Sequence, residues 1–125
     1  MPIHVVNLAE KFQAFTDRWS PKIAAELNDS YLKLAKLEGE FVWHHHGNED
    51  ELFLVVKGEL HMRIREDGEE RELIVRPGEF VAIPRGMDHL PSSSEEVQVI
   101  LLEPKTTLNT GNLHNERTRE KLDWI

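Results

Sequence analysis

The feature that most constrains the fold of this chain is a series of turn-forming residues that recurs at short intervals after Pro21. The dipeptide Asp67-Gly68 is typical of a two-residue β-hairpin, because a type I′ turn needs positive φ at both positions. Short β-rich runs separated by such turns predict an antiparallel sandwich or barrel. The predicted strands cover residues 22–27, 31–38, 40–46, 51–57, 59–66, 70–75, 79–84, 88–91 and 97–103.

One helix is predicted ahead of the strands, over residues 7–15. Asn7 can cap its N-terminus, and Glu10 follows three positions later, as in a capping box. Apolar side chains at helical spacing form one face, which we expect to lie on the core of the protein. These side chains belong to Leu8, Phe12 and Phe15.

The composition excludes several classes of function. The chain has 125 residues, and we predict a single domain over residues 1–125. Because it contains no cysteine, a disulfide framework, a cysteine-ligated zinc site and thiol catalysis are excluded. The formal net charge of -8 argues against general binding of nucleic acid or of an anionic membrane. With no long apolar run and no signal-peptide pattern, a cytoplasmic protein is expected.

Two predicted strands are apolar at every position instead of alternating. They are Leu52 to Val56 and Phe80 to Ile83, and both therefore need cover on two faces. The interior of a barrel covers one face, and one short helix is too small to cover the other face of both strands. We therefore expect a homodimer in which a two-fold partner hides this surface. The C-terminal tail, residues 105–125, should pack on the barrel or on that partner.

Potential metal ligands are concentrated near the middle of the chain. Alternate side chains of a strand share a face, so His44 and His46 should point the same way and His45 the opposite way. Two imidazoles with a carboxylate from the following strand form half of a metal site. Asp50 and Glu51 are both candidates for that carboxylate.

A third imidazole can come from His89, which follows a predicted turn and starts a later strand. Three histidines and one carboxylate suit a first-row divalent metal such as Mn, Fe, Ni, Zn or Co. In a six-coordinate ion, this set leaves two positions open for water or substrate.

Two segments carrying these residues, 39–58 and 78–93, resemble the two sequence motifs of the cupin superfamily. The first segment has the histidines one residue closer to its leading glycine than the family pattern, and the second has Ser93 where the family usually has asparagine. The matching residues are Gly39, His44, His46, Glu51 and Gly58 in the first segment, and Gly78, Pro84, Gly86 and His89 in the second.

This resemblance implies an all-β, double-stranded β-helix of the jelly-roll type with a short N-terminal helix. It also implies His44, His46, Glu51 and His89 as metal ligands, with Glu51 preferred over Asp50 because it keeps the family spacing. A pocket for a small molecule is expected inside the barrel. Alternate residues of a strand share a face, so the residues on the same face as the ligands should form its walls. These are Val42, Phe53 and Val55, with Met62 and Ile64 as further neighbours.

The resemblance leaves the activity open between two classes. One is a metal-dependent enzyme, of isomerase, dioxygenase or lyase type, acting on a sugar or a small organic acid. The other is a non-catalytic module that binds or senses a metabolite. Among small cupins, this chain looks most like those grouped with the cupin-type mannose-6-phosphate isomerases, although no Lys or Arg is visibly placed for a phosphate. No catalytic residue beyond the ligands can be named.

Overall fold

A computed structural model describes residues 3–125 of the protein. The fold consists mostly of β-strands with one short helix near the N-terminus, as the sequence predicts. In chain order the elements are α1 (Leu8–Gln13), β1 (Lys22–Leu27), β2 (Ser30–Glu40), β3 (Glu51–Lys57), β4 (Leu60–Glu66), β5 (Glu69–Val75), β6 (Phe80–Ile83) and β7 (His89–Pro104).

The longest strand, β7, joins the two halves of the sheet. Its later part lies between β2 and β3, in the order β1-β2-β7-β3-β6, and its first residues pair with β4, which in turn pairs with β5. All of these pairings are antiparallel. Alternate residues of the strands point inward and form the main core. The buried residues of this core are Ala35, Leu37, Phe53, Val55, Leu60, Met62, Ile64, Val75, Ile83, Val97, Val99 and Leu101.

The N-terminal helix covers part of the outer face of the sheet. It is shorter than the predicted span of residues 7–15, because Asn7 is extended and caps the helix through its side chain, which accepts a hydrogen bond from Glu10 N at 3.0 Å. At the other end, Lys36 Nζ donates to the carbonyl of Phe15 at 2.6 Å, outside the helix. Phe12 and Phe15 pack with Leu34 in a second apolar cluster, as the amphipathic pattern predicts.

The predicted strands differ from the observed ones in two parts of the chain. Residues 40–46 do not form a strand, because β2 ends at Glu40 and the chain then keeps only one isolated pair, His44 with His89. The three serines after Pro91 do not form a turn, so the predicted strands 88–91 and 97–103 are one strand of 16 residues. The serine segment stays extended because Ser92 pairs with Glu40 on one side and with His61 on the other.

The C-terminal tail folds back over its own chain. Ile125 N donates to the carbonyl of Ile23 at 2.9 Å, and Ile23 N donates to the carbonyl of Asp123 at 2.8 Å. The outer face of the sheet keeps exposed apolar area, since Phe80 of β6 is 63% exposed. The homodimer therefore stays a prediction, and this face is where we expect it. In the part of the chain that the structure describes, no helix has the length and apolar character needed to cross a membrane.

Candidate metal centre

The loop between β2 and β3, residues 41–50, carries the first two histidines into the interior. His44 and His89 exchange backbone hydrogen bonds, N to O at 3.1 Å and 2.9 Å, which ties this loop to the start of β7. The extended backbone makes neighbouring side chains alternate, so His44 and His46 are buried. His45 points outward, and its Nδ1 lies 3.0 Å from Asp88 Oδ1.

Three histidines and one glutamate meet at one point in the interior. One potential ligand atom from each of His44, His46, Glu51 and His89 lies within 4.8 Å of the others, and all four residues are buried. Glu51 Oε1 is 3.2 Å from Nε2 of His46 and also 3.2 Å from Nε2 of His89. Asp50, the rival carboxylate, is outside this cluster and accepts a hydrogen bond from the backbone N–H of Arg85 at 2.9 Å.

Backbone carbonyls orient two of the imidazole rings. His44 Nδ1 donates to the carbonyl of Val42 at 2.9 Å, and His89 Nδ1 donates to the carbonyl of Met87 at 2.9 Å. A proton held on Nδ1 leaves the lone pair on Nε2, which is the atom that faces the cluster. Metal-binding histidines in proteins commonly have their second nitrogen fixed in this way.

The donor set fits a divalent metal. His46 is 4% exposed, yet within residues 3–125 neither of its ring nitrogens has a hydrogen-bond partner of good geometry. Such an unsatisfied buried imidazole is costly unless another partner takes its lone pair. Ligand atoms about 2.0–2.2 Å from an ion lie at most roughly 4.4 Å apart, so the donor atoms here, all within 4.8 Å of one another, need to move by at most a few tenths of an ångström.

Burial and mutual contact shift the pKa values of the cluster toward the forms that bind metal. Burial, with the neighbouring His89, lowers the pKa of His44 from 6.5 to about 4, so this imidazole is neutral near pH 7. Burial alone would raise the pKa of Glu51. A hydrogen bond with Glu103 and the close imidazoles of His46 and His89 outweigh that effect and hold the pKa of Glu51 well below its usual range.

A second carboxyl group, Glu103 of β7, lies next to Glu51. Burial and the adjacent Glu51 carboxylate raise the pKa of Glu103 well above its usual range. Lys33 Nζ lies 2.7 Å from Glu103 Oε1, and both side chains are 2% exposed. Neither residue of this pair was predicted as part of the site, because Lys33 and Glu103 are 70 positions apart in the chain.

A partly open cavity borders the cluster. Including its open mouth it encloses about 410 Å³ of unfilled space, so it suits a small ligand. Glu51, Glu103, His44 and Asn109 are the polar residues that line it. The apolar lining residues are Trp19, Pro21, Ala35, Leu37, Phe41, Phe53, Pro91 and Leu101.

Of the five residues predicted to line a pocket, some lie at the cavity and others lie in the main core. Phe53 lines the cavity beside His44 and Glu51. Val55, Met62 and Ile64 instead pack within the main core, because their strands bring other apolar side chains against them. Val42 is half-buried, and its carbonyl oxygen holds the ring of His44.

Comparison with known proteins places this fold and cluster in a recognised group. The family model described as Cupin domain matches residues 31–103. The uncharacterized protein YdbB of Bacillus subtilis is 35% identical over 65 residues, which are 52% of this chain and 55% of that protein. The chain thus spans about half the length of this curated relative.

Solved structures show the same similarity. A cupin-2 domain containing protein from Shewanella frigidimarina is 40% identical with a TM-score of 0.76, and the match covers 81% of this chain and 95% of that one. The hydroquinone 1,2-dioxygenase PnpCD, solved in complex with Fe3+, has a TM-score of 0.74 at 20% identity. That match covers 83% of this chain and 33% of the dioxygenase chain, and at this identity it shows a shared fold alone.

Proposed function

Because this chain belongs to the cupin domain family, we propose that it is a metal-dependent enzyme for a small organic molecule. In this proposal His44, His46, Glu51 and His89 hold a divalent transition metal. The observation that carries the proposal is the convergence of four buried donor atoms within 4.8 Å at the wall of a cavity. A structural site would not need the open space beside it, because structural zinc sites are closed by four protein ligands.

Each residue of the site has a role that follows from its contacts. A divalent ion bound here would act as a Lewis acid toward an oxygen atom of the substrate. The carbonyls of Val42 and Met87 keep Nε2 of His44 and His89 directed at the centre. Glu103 lies beside Glu51 and is held by Lys33, and the apolar walls of the cavity exclude water from the reacting atoms.

Among the reaction types, an oxygen-dependent oxidation fits the site better than isomerisation of a sugar phosphate. In the described residues no Lys or Arg lines the cavity, so a phosphate group would have no cationic side chain to bind it. The dioxygenase PnpCD shares the fold and was solved with iron. In a dioxygenase reaction that cleaves a carbon–carbon bond, the substrate supplies all four electrons that reduce O2 and both oxygen atoms enter the product, so no further reductant is required.

Metal analysis tests the first part of this proposal. Protein purified without added metal, then dialysed against each of Mn, Fe, Ni, Zn and Co, should retain about one ion per chain. The variant His46→Ala should lose most of that metal because it removes one of the four ligands. His61→Ala is the matched control, since His61 lies on the outer side between Glu59 and Glu72. Equal metal content in both variants would contradict the proposed ligand set.

Oxygen consumption tests the second part. The metal-loaded protein is mixed with a panel of small organic substrates in an oxygen electrode, and the product is identified by mass spectrometry with 18O2. We expect uptake of O2 with both labelled atoms in one product, and no uptake by His46→Ala. Tight binding of a panel member without turnover would favour a metabolite-binding module, the second class of function that the family admits.

A further inference from the structure

Trp19 has a backbone conformation that is unusual for a bulky residue. Its φ is 57°, in the left-handed region. In the described part of the chain, the other non-glycine residues there are Asn28 and Asp67, which lie in hairpin turns and tolerate this region well. A tryptophan has no such tolerance, and local strain of this kind tends to persist at ligand-binding sites.

Two hydrogen bonds hold Trp19 in this conformation. Its backbone N–H donates to the carbonyl of Lys36 at 2.9 Å, and its indole Nε1–H donates to the carbonyl of Glu38 at 2.9 Å. Both acceptors are on β2, the strand that leads into the histidine loop. The indole ring is thereby fixed in the wall of the cavity that contains Glu51.

The indole is half of an aromatic wall. Its ring stacks on Phe41 with a centroid distance of 4.7 Å and an interplanar angle of 16°. Phe41 in turn meets the ring of His44 edge-on, at 5.4 Å between centroids. Arg117 of the C-terminal tail braces the pair, with its guanidinium carbon 5.7 Å from the Trp19 ring and 5.6 Å from the Phe41 ring.

The charges of the cavity restrict the ligand further. Its ionisable residues are His44, Glu51 and Glu103, and the nearest buried cation, Lys33, is engaged by Glu103. This end of the cavity therefore suits a neutral ligand with a polar hydroxyl group, while the aromatic wall suits a flat apolar ring.

We propose that this cavity binds a monocyclic phenol, with the ring against Trp19 and Phe41 and the hydroxyl toward the glutamate end. This inference uses the same cavity as the proposed function. It does not require the metal, because the aromatic wall is formed by the protein alone. The cavity, about 410 Å³ including its open mouth, has room for a single ring.

The test measures binding of phenol to metal-free protein by saturation-transfer NMR, with cyclohexanol as a non-planar alcohol of similar size and a hexose 6-phosphate as the anionic alternative. We expect phenol to bind about tenfold more tightly than cyclohexanol, the difference that an aromatic contact supplies. The hexose phosphate should neither bind nor displace phenol. Equal binding of phenol and cyclohexanol, no binding of phenol at millimolar concentration, or displacement by the phosphate would overturn the proposal.

The variant Trp19→Gly removes the indole and relieves the backbone strain, since glycine adopts positive φ freely. It should bind phenol about tenfold or more weakly while keeping the metal content of the wild type. Trp124→Gly is the control, because Trp124 is 56% exposed and lies outside this cavity. Unchanged phenol binding by Trp19→Gly would refute the aromatic wall. Phenol binding by a protein that takes up no metal would support this inference and contradict the proposed enzyme.

Discussion

Acid should destabilise the metal-free protein through His44. The folded state lowers the pKa of His44 to about 4, whereas the unfolded chain has the ordinary value of 6.5. Between these values the unfolded state binds the proton and the folded state does not, so stability falls as the pH falls from 6.5 toward 4. Integrating this difference from pH 7.5 to pH 4.5 gives a loss of about 2 kcal/mol from this one residue.

The neighbouring carboxyl groups, Glu103 and Glu51, affect the free energy of unfolding over other pH ranges. Glu103 has a raised pKa, so it contributes stability that is present at low pH and is lost as the pH rises through its folded value. Glu51 has a lowered pKa, and the stability it contributes is lost only at more acid pH, as the pH falls below its unfolded value. The total pH profile therefore mixes opposite effects, and the His44 contribution must be isolated by a variant.

The variant His44→Asn provides this comparison. An asparagine amide can still donate to the carbonyl of Val42, the hydrogen bond that His44 Nδ1 makes, but it does not titrate. Urea unfolding of metal-free wild type and variant at pH 7.5 and pH 4.5 measures the free energy of unfolding in each state. The wild type should lose about 2 kcal/mol more than the variant over this range.

A surface histidine serves as the control. His61 contacts Glu72 and Glu59, and these contacts raise its pKa. Replacing it with asparagine should leave the acid-induced loss of stability almost unchanged, with any small effect of the opposite sign. If wild type and His44→Asn lose the same free energy between the two pH values, then His44 is not a buried neutral imidazole and the reasoning fails.

Three further predictions concern packing and assembly. Phe12→Ala should lower the free energy of unfolding by about 3–4 kcal/mol, because the Phe12 ring is buried against Leu34. Urea unfolding measures this loss, and a loss under about 1 kcal/mol would show that α1 is not firmly packed. Gly111→Ala should release the tail from the histidine loop, because φ is +57° at this position and an added Cβ would clash with the carbonyl of His45. Thermal unfolding should show a clear drop in Tm. The control Gly47→Ala should leave Tm unchanged, because a Cβ there meets no atom within 4 Å. Sedimentation equilibrium should find a homodimer, and Phe80→Glu should make it monomeric by placing a charge on the exposed apolar face of β6; a wild-type monomer at micromolar concentration would refute the dimer.

Local chemistry explains what could be predicted from the sequence. Asn7 caps the helix because its side chain needs only the backbone three residues away. Asp67-Gly68 forms the expected hairpin turn with φ of 52° and 79°, a conformation that these two residue types adopt readily. The cluster of His44, His46 and Glu51 depends on alternation and short spacing, and both survive even though residues 40–46 are not a regular strand.

Only the tertiary structure decided which distant residues surround this cluster. Lys33 and Glu103 are 70 positions apart, and they meet because β2 and β7 pair in one register with both side chains inward. The strained conformation of Trp19 and the stack on Phe41 depend on acceptor carbonyls of β2, and Gly111 contacts the histidine loop only after the tail has folded back. None of these contacts produces a periodic pattern in the sequence, because each joins residues that come together only in the folded chain. The sequence therefore predicted the strand-rich fold and the cluster of three histidines and one glutamate, while the second carboxyl, the aromatic wall and the cavity walls came from packing.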